Sequence, residues 1–228
     1  GNTSVLHDDA TFSVKASGSC LGSVRSAQFV RLRHEPILDL LASDAPLSEL
    51  NRAYLAAKVD PDAPGRPSVE TVLHAIALTQ PGVRYVAHTH PTAITGLLCT
   101  AGWRVHLRGR LCPDEAVVLG PDSVFVDYVD PGVALARAMQ RGIEDYRARE
   151  GVVPKAIYLQ NHGFIALAGN AEEAFNVTLM AVKAARMRAV ALAGGGISPM
   201  PRAVVDHLLG RSDERYRQAQ LTGGGGDA

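Results

Sequence analysis

This chain has no excess of either charge, few cysteines and no long apolar run, and each shortage removes a class of function. Lysine plus arginine and aspartate plus glutamate number 23 each, so no global field gathers nucleic acid or an acidic membrane surface. Arg104, Arg108 and Arg110 lie close in sequence but are too few for a nucleic-acid face. The three cysteines, Cys20, Cys99 and Cys112, are odd in number and widely spaced. They form neither a disulfide framework nor a C-x-x-C metal site, and they suit a reducing, cytoplasmic setting as buried or surface thiols. No apolar stretch approaches the ~20 residues that a membrane-spanning helix needs. An initiator methionine and a secretory pattern are also missing from the opening "GNTSV". The expectation is that an N-terminal segment was removed or is not represented.

What is present alternates. A chain of 228 residues holds one large domain or two small ones. "TFSVKASG" reads as a strand entering a turn and "PLSELNRAYLAAKV" as a helix, followed by the Pro- and Gly-rich loop "DPDAPGRP". In "SVETVLHAIALTQ" the residues Val69, Val72, Leu73 and Ile76 follow the i, i+3, i+4, i+7 spacing of a helix with one core face. "VRYVAHTH" reads as a strand and "PTAITGLLCTAG" as a helix with Pro91 in its first turn. "EAVVLG" and "SVFVDYV" read as strands, and "PGVALARAMQRGIEDYRARE" as an amphipathic helix opened by Pro131. "KAIYLQ" and "FIALAG" are strands around "NHG". A long helix follows with Asn170 as N-cap and Glu172 and Glu173 in its first turn. No linker divides this pattern, and the expectation is an α/β fold: a single layered domain with a central mixed or antiparallel sheet flanked by helices. That domain spans 1–195; 196–220 is a C-terminal segment, helical and interface-forming, and 221–228 is a flexible Gly-rich tail.

The chemistry concentrates on histidine. In a strand, residues i and i+2 share a face about 6.6 Å apart, so His88 and His90 project together beyond the strand's end while Thr89 points away. Such a pair either converges on a metal ion or forms ordinary hydrogen bonds near a surface, and a third ligand is needed to decide. His162 in "YLQNHGFIALAG" also follows an apolar strand, and strand ends are where open α/β sheets place their sites. Three neutral imidazoles make a catalytic-type triad with an open position, whereas closed structural zinc sites use four protein ligands, mostly thiolates.

The stretches "RPSVETVLHAIALTQPGVRYVAHTHPTA" and "YLQNHGFIALAGNAEEAFNVTL" resemble the class II aldolase/adducin family, which includes fuculose- and rhamnulose-phosphate aldolases and ribulose-phosphate epimerases. "GNTSV" and "VKASGS" resemble that family's two substrate-phosphate loops. "LSELNRAYLAAKVDPDAPGRPSVETVLHA" is similar to aldolase domains fused to short-chain dehydrogenases. The resemblance implies His88, His90 and His162 as metal ligands and Glu70 of "SVET" as the catalytic acid/base, a carboxylate suited to a helix's first turn. His74, one turn on, reads as a packing residue or one that supports the site from behind. Gly1, Asn2, Ser17, Gly18 and Ser68 match the phosphate-binding positions, where glycine lets the backbone approach an anion. Asp114 and Tyr216 are candidates for a second proton donor. Val69 stands where fuculose-phosphate enzymes often carry a serine, and Thr92 where the fused relatives carry an acid, so the substrate can differ from theirs.

The implied function is a metal-dependent lyase of carbohydrate metabolism. It would cleave a ketose 1-phosphate or related sugar derivative to dihydroxyacetone phosphate and an aldehyde, through a metal-stabilised enediolate. The implied cofactor is one divalent metal per subunit, zinc first, with manganese, cobalt or iron able to use the same ligands. The same site in the family also serves decarboxylases, epimerases and dehydratases acting on sugar acids or aromatic acids. Adducin-like members use the domain as a non-catalytic interaction module. The resemblance further implies a small phosphorylated or carboxylated substrate, no nucleic-acid or membrane partner, and a homotetramer with interfacial active sites.

Overall fold

The computed structural model describes residues 1–43 and 46–213. In chain order the elements are β1 (Asn2–Leu6), β2 (Thr11–Lys15), β3 (Phe29–Arg33), α1 (Glu35–Leu38), α2 (Leu47–Ala56), α3 (Thr71–Leu78), β4 (Tyr85–Thr89) and α4 (Thr92–Leu98). They continue with α5 (Trp103–Leu107), α6 (Pro113–Leu119), β5 (Val124–Val126), α7 (Val133–Glu150), β6 (Ala156–Leu159), β7 (Gly163–Ala168), α8 (Ala171–Ala193) and α9 (Arg202–Gly210). The strands form one seven-stranded mixed sheet, ordered β3-β2-β1-β4-β7-β6-β5 and flanked by helices. Among the described residues two compact units are distinguished, one within 1–88 with 129–141, and one within 89–128 with 142–213; the division falls inside β4, after His88.

The first unit is an antiparallel meander. β1 pairs β2 and β4, with Asn2 opposite His88, and β2 pairs β3. In β3 the alternation is complete, Val30 and Leu32 buried and Arg31 and Arg33 exposed, the period-two signature of a strand with one wet face. Helix α3 is buried along its whole length, so its apolar face is wider than the single stripe read from its spacing. Its first helical residue is Thr71, and Glu70 sits just outside as the N-cap, φ −92° and ψ 10°.

In the second unit β5 and β6 run parallel and β6 and β7 form an antiparallel hairpin. β7 and β6 are buried at every position, as strands covered on both faces are. Helix α8 begins as read, with Asn170 Oδ1 accepting from the Glu173 amide at 2.8 Å. Glu173 answers by accepting from the Gly169 amide at 2.8 Å, and this reciprocal pairing satisfies two otherwise orphaned donors. On α7, a Cβ at Gly142 would sit 2.7 Å from Val124 Cγ1, so the glycine permits this helix's close approach to β5.

One assignment is corrected. "EAVVLG" is helix α6, not a strand. An apolar run of that length suits either element. Here Pro113 occupies the first turn with Asp114 and Glu115, and Glu115 Oε2 caps the Leu111 amide at 2.7 Å. β1, β3, α1 and α5 were not read from the sequence. Of the C-terminal segment, α9 is helical. Residues 214–228, including Tyr216 and the Gly-rich tail, lie outside the described residues.

Candidate metal centre

Strand pairing brings the first unit's site residues together. Asn2 and Ser4, two apart on β1, are both buried. The β1–β4 register sets Asn2 across from His88, which is fully buried. The Asn2 amide Nδ2 donates to Ser68 Oγ at 2.9 Å and to Glu70 Oε2 at 2.7 Å. The other Glu70 oxygen, Oε1, stands 3.3 Å from His88 Nε2. The N-cap geometry of Glu70 thus turns its carboxylate back toward the strand pair, and Ser68 steadies the turn by accepting from the Glu70 amide at 3.3 Å.

Beneath lies His74, its Nδ1 2.7 Å from Ser4 Oγ and its Nε2 against Asn2 Oδ1. Burial pushes the pKa of this ring down to about 3; the neighbouring His88 lowers it further and Glu70 opposes the shift. His74 is therefore neutral at pH 7.

The proposed phosphate-loop positions sit close by in the same unit. The Ser17 amide donates to Arg66 O at 2.8 Å, and Ala16 bridges Pro67, so this turn lies alongside the segment leading into Ser68. Gly18 takes φ +80°, a left-handed conformation that a glycine adopts without strain. Ser17, Gly18 and Gly1 are exposed, whereas Asn2 and Ser68 are buried. Lys15 was not singled out from the sequence. It is buried, and its ammonium donates to Ala16 O at 2.9 Å and Ser19 O at 2.5 Å, placing a positive charge under the turn.

In the second unit His90 follows β4 and precedes α4, whose N-cap is Pro91. His162 lies in the β6–β7 hairpin, where Leu159 pairs with Gly163 and the His162 amide donates to Leu159 O at 3.2 Å. Asn161 adopts φ +52°, a left-handed residue of the kind that closes a short hairpin loop. Its amide donates to Leu98 O at 3.4 Å, tying the hairpin to the last turn of α4. The His90 and His162 rings stand 5.3 Å apart, centroid to centroid. One donor nitrogen from each of His88, His90 and His162 lies within 4.8 Å of the others. Three imidazoles so gathered, without thiolates, are the donor set of an open divalent-metal site, and these residues fit one.

Asp114 lies on α6 and pairs with Lys183 of α8 at 3.1 Å, both side chains partly exposed. The three cysteines are free thiols. Among the described residues no helix is long and apolar enough to cross a membrane.

A mixed sheet with three gathered imidazoles and a buried glutamate beside one of them places the protein among α/β domains carrying a candidate metal centre. The profile of the class II aldolase and adducin N-terminal domain matches residues 1–189, and the chain belongs to that family. A Bacillus subtilis (strain 168) protein named uncharacterized oxidoreductase YuxG is 28% identical over 194 residues, 81% of this chain and 26% of that protein. The chain thus spans about a quarter of that relative's length. The solved N-terminal class II aldolase domain of a conserved Thermoplasma acidophilum protein is 28% identical, with a TM-score of 0.63 and 82% of each chain covered. The structure of an L-fuculose 1-phosphate aldolase shares the fold at 19% identity, with a TM-score of 0.68 over 95% of this chain and 85% of that one.

Proposed function

We propose that the protein is a metal-dependent lyase of the class II aldolase type. It cleaves a ketose 1-phosphate, or a related sugar derivative, to dihydroxyacetone phosphate and an aldehyde. The observation that carries this reading is the gathering of His88, His90 and His162, with Glu70 3.3 Å from His88. His88, His90 and His162 hold one divalent cation, zinc in the first instance, whose charge stabilises negative charge developing on substrate oxygens. Glu70 is the acid/base of the site: when the C3–C4 bond breaks, it returns a proton to C3, and it removes that proton in the reverse direction. Asn2 holds the Glu70 carboxylate in place through its amide. Ser17, Gly18, Ser68 and Gly1 take the substrate's phosphate, Asn2 borders that site with its side-chain hydrogens already engaged by Ser68 and Glu70, and Lys15 beneath Ser19 adds positive charge there. The base for the C4 hydroxyl is not assigned: Asp114 is engaged with Lys183, and Tyr216 is outside the described residues. We further propose a cytoplasmic homotetramer with the C-terminal segment at an interface, a setting that the free thiols favour.

The test is metal content per subunit in the wild type and in His162→Ala, followed by dihydroxyacetone phosphate release from a panel of ketose 1-phosphates. About one equivalent in the wild type and loss of it in the variant are expected of a three-imidazole site. A wild type that takes up neither zinc nor manganese overturns the reading.

A further inference from the structure

Four side chains behind Glu70 form a chain of hydrogen bonds whose polarity is determined at every link. Glu70 Oε2 accepts from the Asn2 amide nitrogen at 2.7 Å, and the same nitrogen donates to Ser68 Oγ at 2.9 Å. The amide nitrogen has two hydrogens, both now engaged, so Asn2 Oδ1 points the other way, as an acceptor. It faces His74 Nε2, and an acceptor there requires a hydrogen on that nitrogen. In a neutral imidazole the other nitrogen then carries a lone pair, and His74 Nδ1 accepts from Ser4 Oγ at 2.7 Å. The ring is fully buried and its two nitrogens meet uncharged groups, Ser4 and Asn2, a setting that favours the neutral form over one with two donating nitrogens. Every group in the chain is buried, where water cannot substitute for a lost partner.

The opposite polarity is disfavoured. With hydrogen on Nδ1, Nε2 would present a lone pair to Asn2 Oδ1. The amide would then rotate, turning its carbonyl oxygen against the Glu70 carboxylate, two acceptors with no proton between them.

We propose that His74 is a positioning residue for the acid/base: in its Nε2–H tautomer, set by Ser4, it fixes the rotamer of Asn2 and thereby the orientation of the Glu70 carboxylate. This rests on the reading of Glu70 as the proton carrier. Substrate and metal need not touch His74 for its removal to be felt.

The experiment uses the full chain. Solid-state ¹⁵N spectra of histidine-labelled protein at pH 7.5, with His74 assigned by its loss in His74→Gln, are expected to show the neutral Nε2–H tautomer. An Nδ1–H tautomer or a charged ring overturns the proposal, whether or not any variant folds. In kinetics, His74→Leu removes the donor while filling the space, and kcat is expected to fall about 10- to 100-fold with KM and metal content unchanged, the usual effect of losing a group that orients a ligand or catalyst. His74→Gln can still aim an N–H at Asn2 Oδ1 and recovers most of that loss; Ser4→Ala, which releases the tautomer, falls between. Equal impairment of the Leu and Gln variants, or none in either, overturns it. If the wild type proves to have no lyase activity, the proposed function has failed, and the relay is judged separately on the tautomer and on a crystal structure of His74→Leu. A rotated Asn2 amide and a displaced Glu70 carboxylate support it, and unmoved side chains refute it.

Discussion

Replacing Glu115 by glutamine tests how far the unit carrying His90 and His162 depends on one buried carboxylate. Glu115 Oε1 stands 2.9 Å from Arg188 Nη1 and 3.7 Å from Arg110 Nη1, and all three side chains are about 1% exposed. Both guanidiniums keep other partners, Arg110 with Gly120 O, Leu119 O and Ser123 Oγ, and Arg188 with Gly109 O. These are dipoles and do not replace the lost charge. Removing one partner of a buried ion pair costs about 3–5 kcal/mol. The retained carbonyl contacts, and a glutamine oxygen still able to cap the Leu111 amide, put Glu115→Gln near the lower end, about 3 kcal/mol. Glu115→Leu also strands the Leu111 amide and loses about 4–6 kcal/mol.

For a domain of 150–250 residues each kcal/mol moves Tm by about 2–4 °C, so the glutamine variant melts about 6–12 °C lower. The assay is thermal unfolding by circular dichroism at fixed protein and metal concentrations, since bound metal raises the apparent stability. Replacing all three charged side chains by apolar ones of similar volume provides the control. Because desolvation offsets most of the attraction within such a cluster, the triple variant is expected to regain the part of the loss that comes from unpaired charge, and to keep the part that comes from the stranded Leu111 amide and the carbonyls the guanidiniums served. A loss under about 1 kcal/mol in Glu115→Gln would refute the reasoning, because so small a value belongs to solvent-exposed pairs.

Three further outcomes are expected. Glu70→Gln keeps the volume and an acceptor for Asn2 Nδ2, so it should bind metal as the wild type does while turnover falls about 10²- to 10⁴-fold; steady-state rates and metal content measured on one preparation check both. His74 has its pKa depressed from 6.5 to about 3 in the folded protein, so the unfolded state binds the extra proton first. Stability is full above pH 6.5 and declines as pH falls toward 3, by up to about 1.4 kcal/mol per pH unit from this group, and urea titrations should show a shallower decline in His74→Gln. Asn161 holds φ +52°, so Asn161→Gly should be tolerated. Asn161→Val should cost about 1–3 kcal/mol and, by displacing the adjoining His162, weaken metal retention in equilibrium dialysis.

What was legible in the sequence was whatever neighbours in sequence determine. His88 is placed by the two-residue repeat of β4, while His90 lies just beyond the strand's last residue, Thr89; the N-cap of α8 follows from an asparagine three residues before Glu173, and the β6–β7 hairpin from two apolar runs flanking "NHG". Local signals also misled where two were in competition. The apolar run Ala116, Val117, Val118 and Leu119 in α6 spoke for a strand, while Pro113 and the first-turn acids spoke for a helix, and the helix-start chemistry prevailed. β3 shows that a clear alternation can still be passed over when it is only five residues long.

The groups that were illegible owe their roles to pairing at a distance. Asn2 meets Glu70 because β1 lies antiparallel to β4 while α3 starts beside them, and no spacing within the chain announces that register. Lys15 and Glu115 look like surface charges in sequence, since lysine and glutamate are rarely buried without partners. Their partners are the carbonyls of one turn and the guanidiniums of Arg110 and Arg188. The same logic separates Asp114 from Glu115. Adjacent on one helix, they point a residue apart, about 100° around its axis, which leaves the first in a surface pair with Lys183 and the second enclosed between two arginines. A motif can therefore name the proposed metal ligands, while the groups that hold the proposed acid/base and its surroundings in place become visible once strand register and helix phase are known.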